Sequence, residues 1–301
     1  MANMNLAILL LLGSFFIFII CKMPITFALA ASTSMTMLYL GIPLMAMVQQ
    51  IAKAINSFSL MAIPFFILAG EIMGAGGISD RMLQFANVCV GRLRGGLAHV
   101  NILASMFFGG ISGSAVADVS SLGTIEIPMM VDAGYDRDFS IGVTVTSACQ
   151  GVLIPPSHNM IMYSLAAGGV SVGRLFLGGL IPGVLVGISL MVVCAIISIK
   201  RDYPKGDKFT FKEALKITKD AILALFTAII IMFGVSAGLF TATESAAIAA
   251  IYAFIISTFV YKELKVKMMS RILMNTVKTL AMVFSLIAAA GAFGWLMAYL
   301  K

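Results

Sequence analysis

Nine apolar runs, at residues 5–21, 24–47, 58–76, 95–131, 139–168, 175–199, 221–240, 243–261 and 279–299, are separated by short polar or basic breaks. A helix that crosses the hydrocarbon core of a bilayer needs about 20 consecutive apolar residues. Lipid offers no partner to a bare N–H or C=O, so each such run must close its own backbone hydrogen bonds as a helix. Composition agrees, because 11% of the residues are charged where a soluble domain carries roughly 25%. A soluble helical domain is excluded for want of polar surface. The expected fold is an all-α integral membrane protein, a polytopic helical bundle.

The net charge of +7 does not point to nucleic acid. The lysines and arginines fall in the breaks, where they act as topology signals, and no basic patch is interleaved with aromatics. Residues 48–57, with Gln49, Gln50, Lys53 and Asn56, read as an interfacial helix. Ala28-Leu29-Ala30 resembles a signal cleavage site, but no basic segment precedes the first run, so it reads as a retained helix. Cys21, Cys89, Cys149 and Cys194 lie far apart in apolar surroundings and read as buried thiols, and two histidines are too few for a metal site.

Two runs are interrupted at mid-length. Residues 95–131 carry Gly109-Gly110-Ile111-Ser112-Gly113-Ser114 and then Asp118, Ser120 and Ser121. Residues 139–168 carry Ile154-Pro155-Pro156-Ser157-His158-Asn159, whose tandem prolines remove two backbone donors and stop a helix. The first reads as a re-entrant hairpin that enters and leaves on one side, the second as a broken crossing helix. With the N-terminus outside, this topology places 17 of the 20 lysines and arginines inside, including the basic loop 200–220. Reading 95–131 as a full crossing would separate that loop from Arg81, Arg92 and Arg94, so the charge pattern favours the hairpin.

Irregular backbone at membrane depth is tolerated where it is buried in protein or lines a wet cavity, and transporters use its freed carbonyls and hydroxyls to hold ions. At the first break Ser112 and Ser114 supply hydroxyls, and Gly113 lets the backbone turn. A carboxylate such as Asp118 inside an apolar run is costly and marks a functional site. At the second break Ser157 and Asn159 supply oxygens, His158 reads as a pore residue or proton carrier, and Thr144, Thr146 and Ser147 lie upstream. Glu71 and Glu126 read as interfacial charges at helix ends, and Glu244 as an N-terminal cap.

Four ordered stretches resemble the large permease subunit of TRAP transporters. They are Ser59 to Met73 (SLMAIPFFILAGEIM), Ser112 to Asp118 (SGSAVAD), Ile154 to Ser157 (IPPS) and Phe240 to Ala247 (FTATESAA). The resemblance implies a Na⁺-coupled, elevator-type importer of a small organic acid in the bacterial inner membrane. Its expected partners are a small four-helix membrane subunit and a periplasmic substrate-binding protein. It implies Na⁺ contacts at Ser112, Gly113, Ser114, Pro155 and Pro156, and substrate contacts at Asp118, Ser157, His158 and Asn159, with no catalytic residue and no organic cofactor.

The family is built from two inverted repeats. Residues 1–199 correspond to the first, 200–220 to a basic cytoplasmic loop and 221–301 to the start of the second. Matching Thr26 to Thr243 places the second hairpin and second broken helix beyond Lys301, so one repeat and part of another are expected. A competing reading is an intramembrane serine protease, from the G-x-S-G pattern at residues 110–113 with His158 as base. A channel or membrane scaffold is the other.

Overall fold

The computed structural model describes residues 3–206 and 209–301, with residues 59, 110–112, 117 and 121 in backbone only. The described chain is helical without a β-sheet and divides into two compact units, residues 1–60 with 277–301 and residues 61–276. Lys208 of the expected basic loop lies outside the described residues.

The first unit holds α1 (Met4–Ile20), α2 (Ile25–Leu40), α3 (Leu44–Ile55) and the end of α14 (Val266–Leu300). Ala7, Leu11, Met37, Leu296 and Leu300 form its core. The run expected as one helix over 24–47 is split. Gly41 adopts the left-handed conformation, φ 70°, and closes α2, and Pro43 opens α3. Glycine meets that conformation without a Cβ penalty, and proline is tolerated only at a helix start. The amphipathic helix therefore begins at Leu44 instead of Val48.

The second unit begins with α4 (Ala62–Ala75) and α5 (Ile78–Val90), bent by 71° at the Gly76–Gly77 turn. It continues through α6 (Gly96–Ser112), α7 (Ala115–Ser121), α8 (Gly123–Asp132), α9 (Arg137–Gly151), α10 (His158–Ala166) and α11 (Val172–Lys200). It closes with α12 (Phe211–Ser236), α13 (Ala242–Ile255), a π-helical continuation over Ile256–Val260 and the start of α14. Helix α5 was expected as a polar break. Its Asp80, Arg81, Gln84 and Asn87 alternate with a buried stripe of Ile78, Met82 and Ala86. Helix α12 starts inside the expected loop 200–220, where the Glu213 carboxylate accepts from the Thr210 N–H at 2.8 Å. The corresponding cap expected at Glu244 is present, its carboxylate accepting from the Thr241 N–H at 2.8 Å.

Among the described residues four helices are long and apolar enough to cross a membrane: α11, α12, α13 with its π continuation, and α14. The bent pair α4–α5 supplies a fifth. This is a multi-pass membrane protein. Cys21, Cys89 and Cys149 are exposed, contrary to expectation, and only Cys194 is buried. Their helices turn an apolar face outward, where a membrane protein meets lipid, so an apolar neighbourhood in sequence does not imply burial.

The two ends of the hairpin α6–α7–α8 are held by one short segment. The Gly95 N–H donates to the Pro204 carbonyl at 3.0 Å, and the Gly206 N–H to the Gly91 carbonyl at 3.1 Å, at the entry to α6. At the exit from α8 the Tyr203 hydroxyl donates to the Asp136 carboxylate at 2.6 Å, and the Tyr203 ring lies 4.6 Å from that of Tyr135. Entry and exit therefore lie on the same side, as a re-entrant hairpin requires.

Candidate functional site

Helix α6 ends where Gly113 takes a left-handed φ of 61° and its N–H bonds back to the Gly109 carbonyl at 2.8 Å. Helix α9 ends at Gly151, before Pro155 and Pro156 deny donors to the next turn. The two interruptions meet. The Asn159 side-chain amide donates to the Gly113 carbonyl at 2.8 Å. A Cβ on Gly113 would lie 2.3 Å from Nδ1 of His158, so the His158 ring sits directly against the hairpin tip.

One turn below the tip, α6 and α9 touch through backbone. A Cβ on Gly109 would fall 2.6 Å from Cα of Gly151, and one on Gly151 would fall 2.4 Å from the Ser105 carbonyl oxygen. Glycine at both positions lets the helices approach closely. The Asp118 carboxylate turns into this crossing, 2.9 Å from the Cβ position of Gly109, and is buried.

The expected residues thus converge. Gly113 and Ser114 form the tip, and Pro155, Pro156 and Ser157 form the buried break. His158 and Asn159 join the two, and Asp118 lies beneath. Ser112 ends α6, but its side chain lies outside the described residues. The Ser157 hydroxyl is fully buried and makes no hydrogen bond among the described residues. Its oxygen is therefore an uncommitted lone-pair donor within the break. A set of hydroxyls and freed carbonyls is the chemistry that suits a hard monovalent cation.

A second polar layer under the site was only half visible. The Asn101 amide donates to Thr144 at 2.8 Å, Ser147 donates to the Asn101 carbonyl oxygen at 2.6 Å, and Ser105 donates to Ser147 at 3.2 Å. All four side chains are buried. Asn101, Ser105 and Gly109 recur every fourth residue within an apolar run, a helical stripe that signals a polar face turned inward. Thr146 is not part of this layer; it is exposed and bonds to the Gly142 carbonyl.

Two acidic expectations are corrected. Glu126 is not interfacial: it is 1% exposed, and neither carboxylate oxygen has a hydrogen-bond partner among the described residues. It shares the inward stripe Gly123, Glu126 and Met130 on α8. Glu71 lies within α4 and accepts from Asn275 of α14 at 3.2 Å, so it is tied to a neighbouring helix instead of ending one.

Comparison with known proteins follows this geometry. Residues 12–301 match the family described as "Tripartite ATP-independent periplasmic transporter, DctM component". The sialic acid TRAP transporter large permease protein SiaM of Vibrio cholerae is 43% identical over 250 residues, 83% of this chain and 58% of its own length. The 2,3-diketo-L-gulonate TRAP transporter large permease protein YiaN of Escherichia coli is 36% identical over 292 residues, 97% of this chain and 68% of its own length. The uncharacterized protein YgiK of Salmonella typhimurium is 40% identical over 294 residues, 96% of this chain and 67% of its own length. The chain spans between 36% and 69% of the length of the curated relatives it matches. With the match covering nearly the whole sequence, and the hairpin and broken helix both in place, the chain belongs to the DctM component family of tripartite ATP-independent periplasmic transporters.

Proposed function

We propose that this chain acts in a Na⁺-coupled secondary transporter that imports a small organic acid by an elevator movement. A periplasmic binding protein delivers the substrate, and a small four-helix subunit anchors the complex in the bacterial inner membrane. The N-terminus lies on the periplasmic side, by the positive-inside count. The observation that carries this reading is the junction of hairpin tip and helix break, the Asn159-to-Gly113 bond of 2.8 Å. It gathers hydroxyls, freed carbonyls and a buried carboxylate where two helices are interrupted.

In this reading Ser112, Gly113, Ser114, Pro155 and Pro156 hold Na⁺, whose role is to couple the ion gradient to substrate movement. Asp118, Ser157, His158 and Asn159 orient the substrate. Relatives are named for sialic acid, C4-dicarboxylates, isethionate and 2,3-diketo-L-gulonate, all organic anions, which supports an organic acid as cargo. The protease reading draws no support from these relatives, which are named as permeases.

The test is uptake by proteoliposomes containing the chain with its companion subunits. Ser114→Ala and Asp118→Asn are expected to raise the Na⁺ concentration needed for half-maximal uptake. Unchanged sodium activation in both variants overturns the site. Sodium-independent flux through the unmodified complex overturns the coupling.

A further inference from the structure

The inward face of α8 holds a carboxylate that the junction of tip and break does not use. Gly123, Glu126 and Met130 form that face. Toward the tip, a Cβ on Gly123 would lie 3.2 Å from the side chain of Thr144 on α9, the residue that Asn101 bonds in the polar layer. Toward the base, Met130 packs in an apolar core with Ala98 and Ile102 of α6 and Val143 of α9. Glu126 lies between them, about one helical turn from each. It is 1% exposed, and neither of its oxygens has a hydrogen-bond partner among the described residues.

No positive charge comes to meet it. The described ion pairs join other residues. The charged group whose field reaches Glu126 is Asp118 of α7, which has the same sign. The buried face of α9, with Ser140, Val143, Thr144 and Ser147, holds nothing titratable, and Arg137 and Asp138 at its start are exposed. His99 of α6 lines a groove against Ile188 and Val192 of α11. Around Met130 stand Tyr135, Cys194 and Tyr203, whose side chains carry no positive charge. An ionised carboxylate taken out of water without a cation or a donor is so costly that such a group takes up a proton instead. A second carboxylate nearby adds to that cost.

We propose that Glu126 is a proton-binding site of the hairpin. With α8 packed on α6 and α9, a proton from water forms the O–H bond of the neutral acid. When the hairpin opens and the site is wetted, that bond breaks and the proton returns to water. A wetted glutamate ionises near about pH 4.3, so at neutral pH one proton leaves at each opening. The site rests on the packing of α8; only its use in a transport cycle rests on the function proposed above.

Infrared spectroscopy of the detergent-purified chain, in sodium-containing buffer at neutral pH, reads the O–H state directly. The difference between wild type and Glu126→Gln is expected to show the carbonyl stretch of one neutral carboxylic acid. A carboxylate signal in its place shows an ionised or sodium-bound Glu126 and overturns the proposal. Glu126→Met serves as the reference should the amide fold poorly, and failure of both neutral variants to fold shows a required charge and overturns it as well. Opening is read by hydrogen exchange of the α8 amides, in the regime where exchange follows the opening equilibrium. The neutral variant carries the ordinary pH dependence of amide exchange. Relative to it, wild-type exchange is expected to rise about tenfold per pH unit between about pH 5.5 and 7, the effect of one proton released per opening. A ratio that stays constant with pH overturns the link between proton and opening. None of these readouts requires sodium-driven uptake, so a failure of the transport reading leaves them standing.

Discussion

Gly113→Ala tests whether the hairpin tip is seated against the helix break. Gly113 has φ 61°, and its added Cβ would lie 2.3 Å from Nδ1 of His158 and 3.0 Å from the His158 backbone nitrogen. Two costs combine. An alanine in the left-handed region loses roughly 1 kcal/mol or a little more. Forcing a methyl into a packed contact costs a further 1–3 kcal/mol or so. His158 is 6% exposed, so its ring cannot swing into solvent to make room. Gly238 supplies the control, because it has φ 70° and nothing within 4 Å of its Cβ position. Gly238→Ala should therefore cost about 1 kcal/mol, and Gly113→Ala about 3 kcal/mol. The assay is unfolding of the detergent-purified chain followed by circular dichroism, with the two variants compared under one condition. His158→Ala added to Gly113→Ala should recover part of the loss, since it removes the ring and leaves only the backbone contact. Equal destabilisation by Gly113→Ala and Gly238→Ala would refute the tip-to-break contact.

Two further predictions concern the support of the site. Asn101→Ala removes two buried hydrogen bonds, to Thr144 and from Ser147, whose hydroxyls keep their bonds to the Ser140 and Thr144 carbonyls, so at about 1 kcal/mol per bond it should cost about 2 kcal/mol in the same unfolding assay; a loss under about 1 kcal/mol would show that the layer rearranges. At the hairpin base, the Tyr203 hydroxyl first and the Arg201 guanidinium second hold the Asp136 carboxyl below the usual carboxylate range. A group with a depressed folded pKa stabilises fully above its unfolded value of about 3.9 and loses that contribution as pH falls through the folded one. Tyr203→Phe should therefore shrink the acid-side fall in unfolding temperature below pH 4; an unchanged profile would remove Asp136 from the link between hairpin and segment 201–206.

What could be read in advance was what the backbone does locally. Pro155-Pro156 must stop a helix wherever it is placed, and Gly113 between Ser112 and Ser114 invites a turn. Both interruptions, and most of the residues gathered there, were visible for that reason. Gly41 and Pro43 carried the same kind of signal, but the apolar residues on either side masked it and the split between α2 and α3 was missed. Helix α5 was missed because only one of its faces is apolar.

The sequence by itself determined that this chain lies in a membrane and where its helices are interrupted, since length, apolarity, proline and glycine act on the segment that contains them. Only the tertiary structure decided which surfaces meet. It brought Asn159 to Gly113 across 46 residues, turned Glu126 inward and fastened both ends of the hairpin to residues 201–206. Each of these depends on which face of one helix finds the face of another. A chain whose helices are apolar all round does not record that choice in its pattern, because lipid and protein interior are equally acceptable to a leucine.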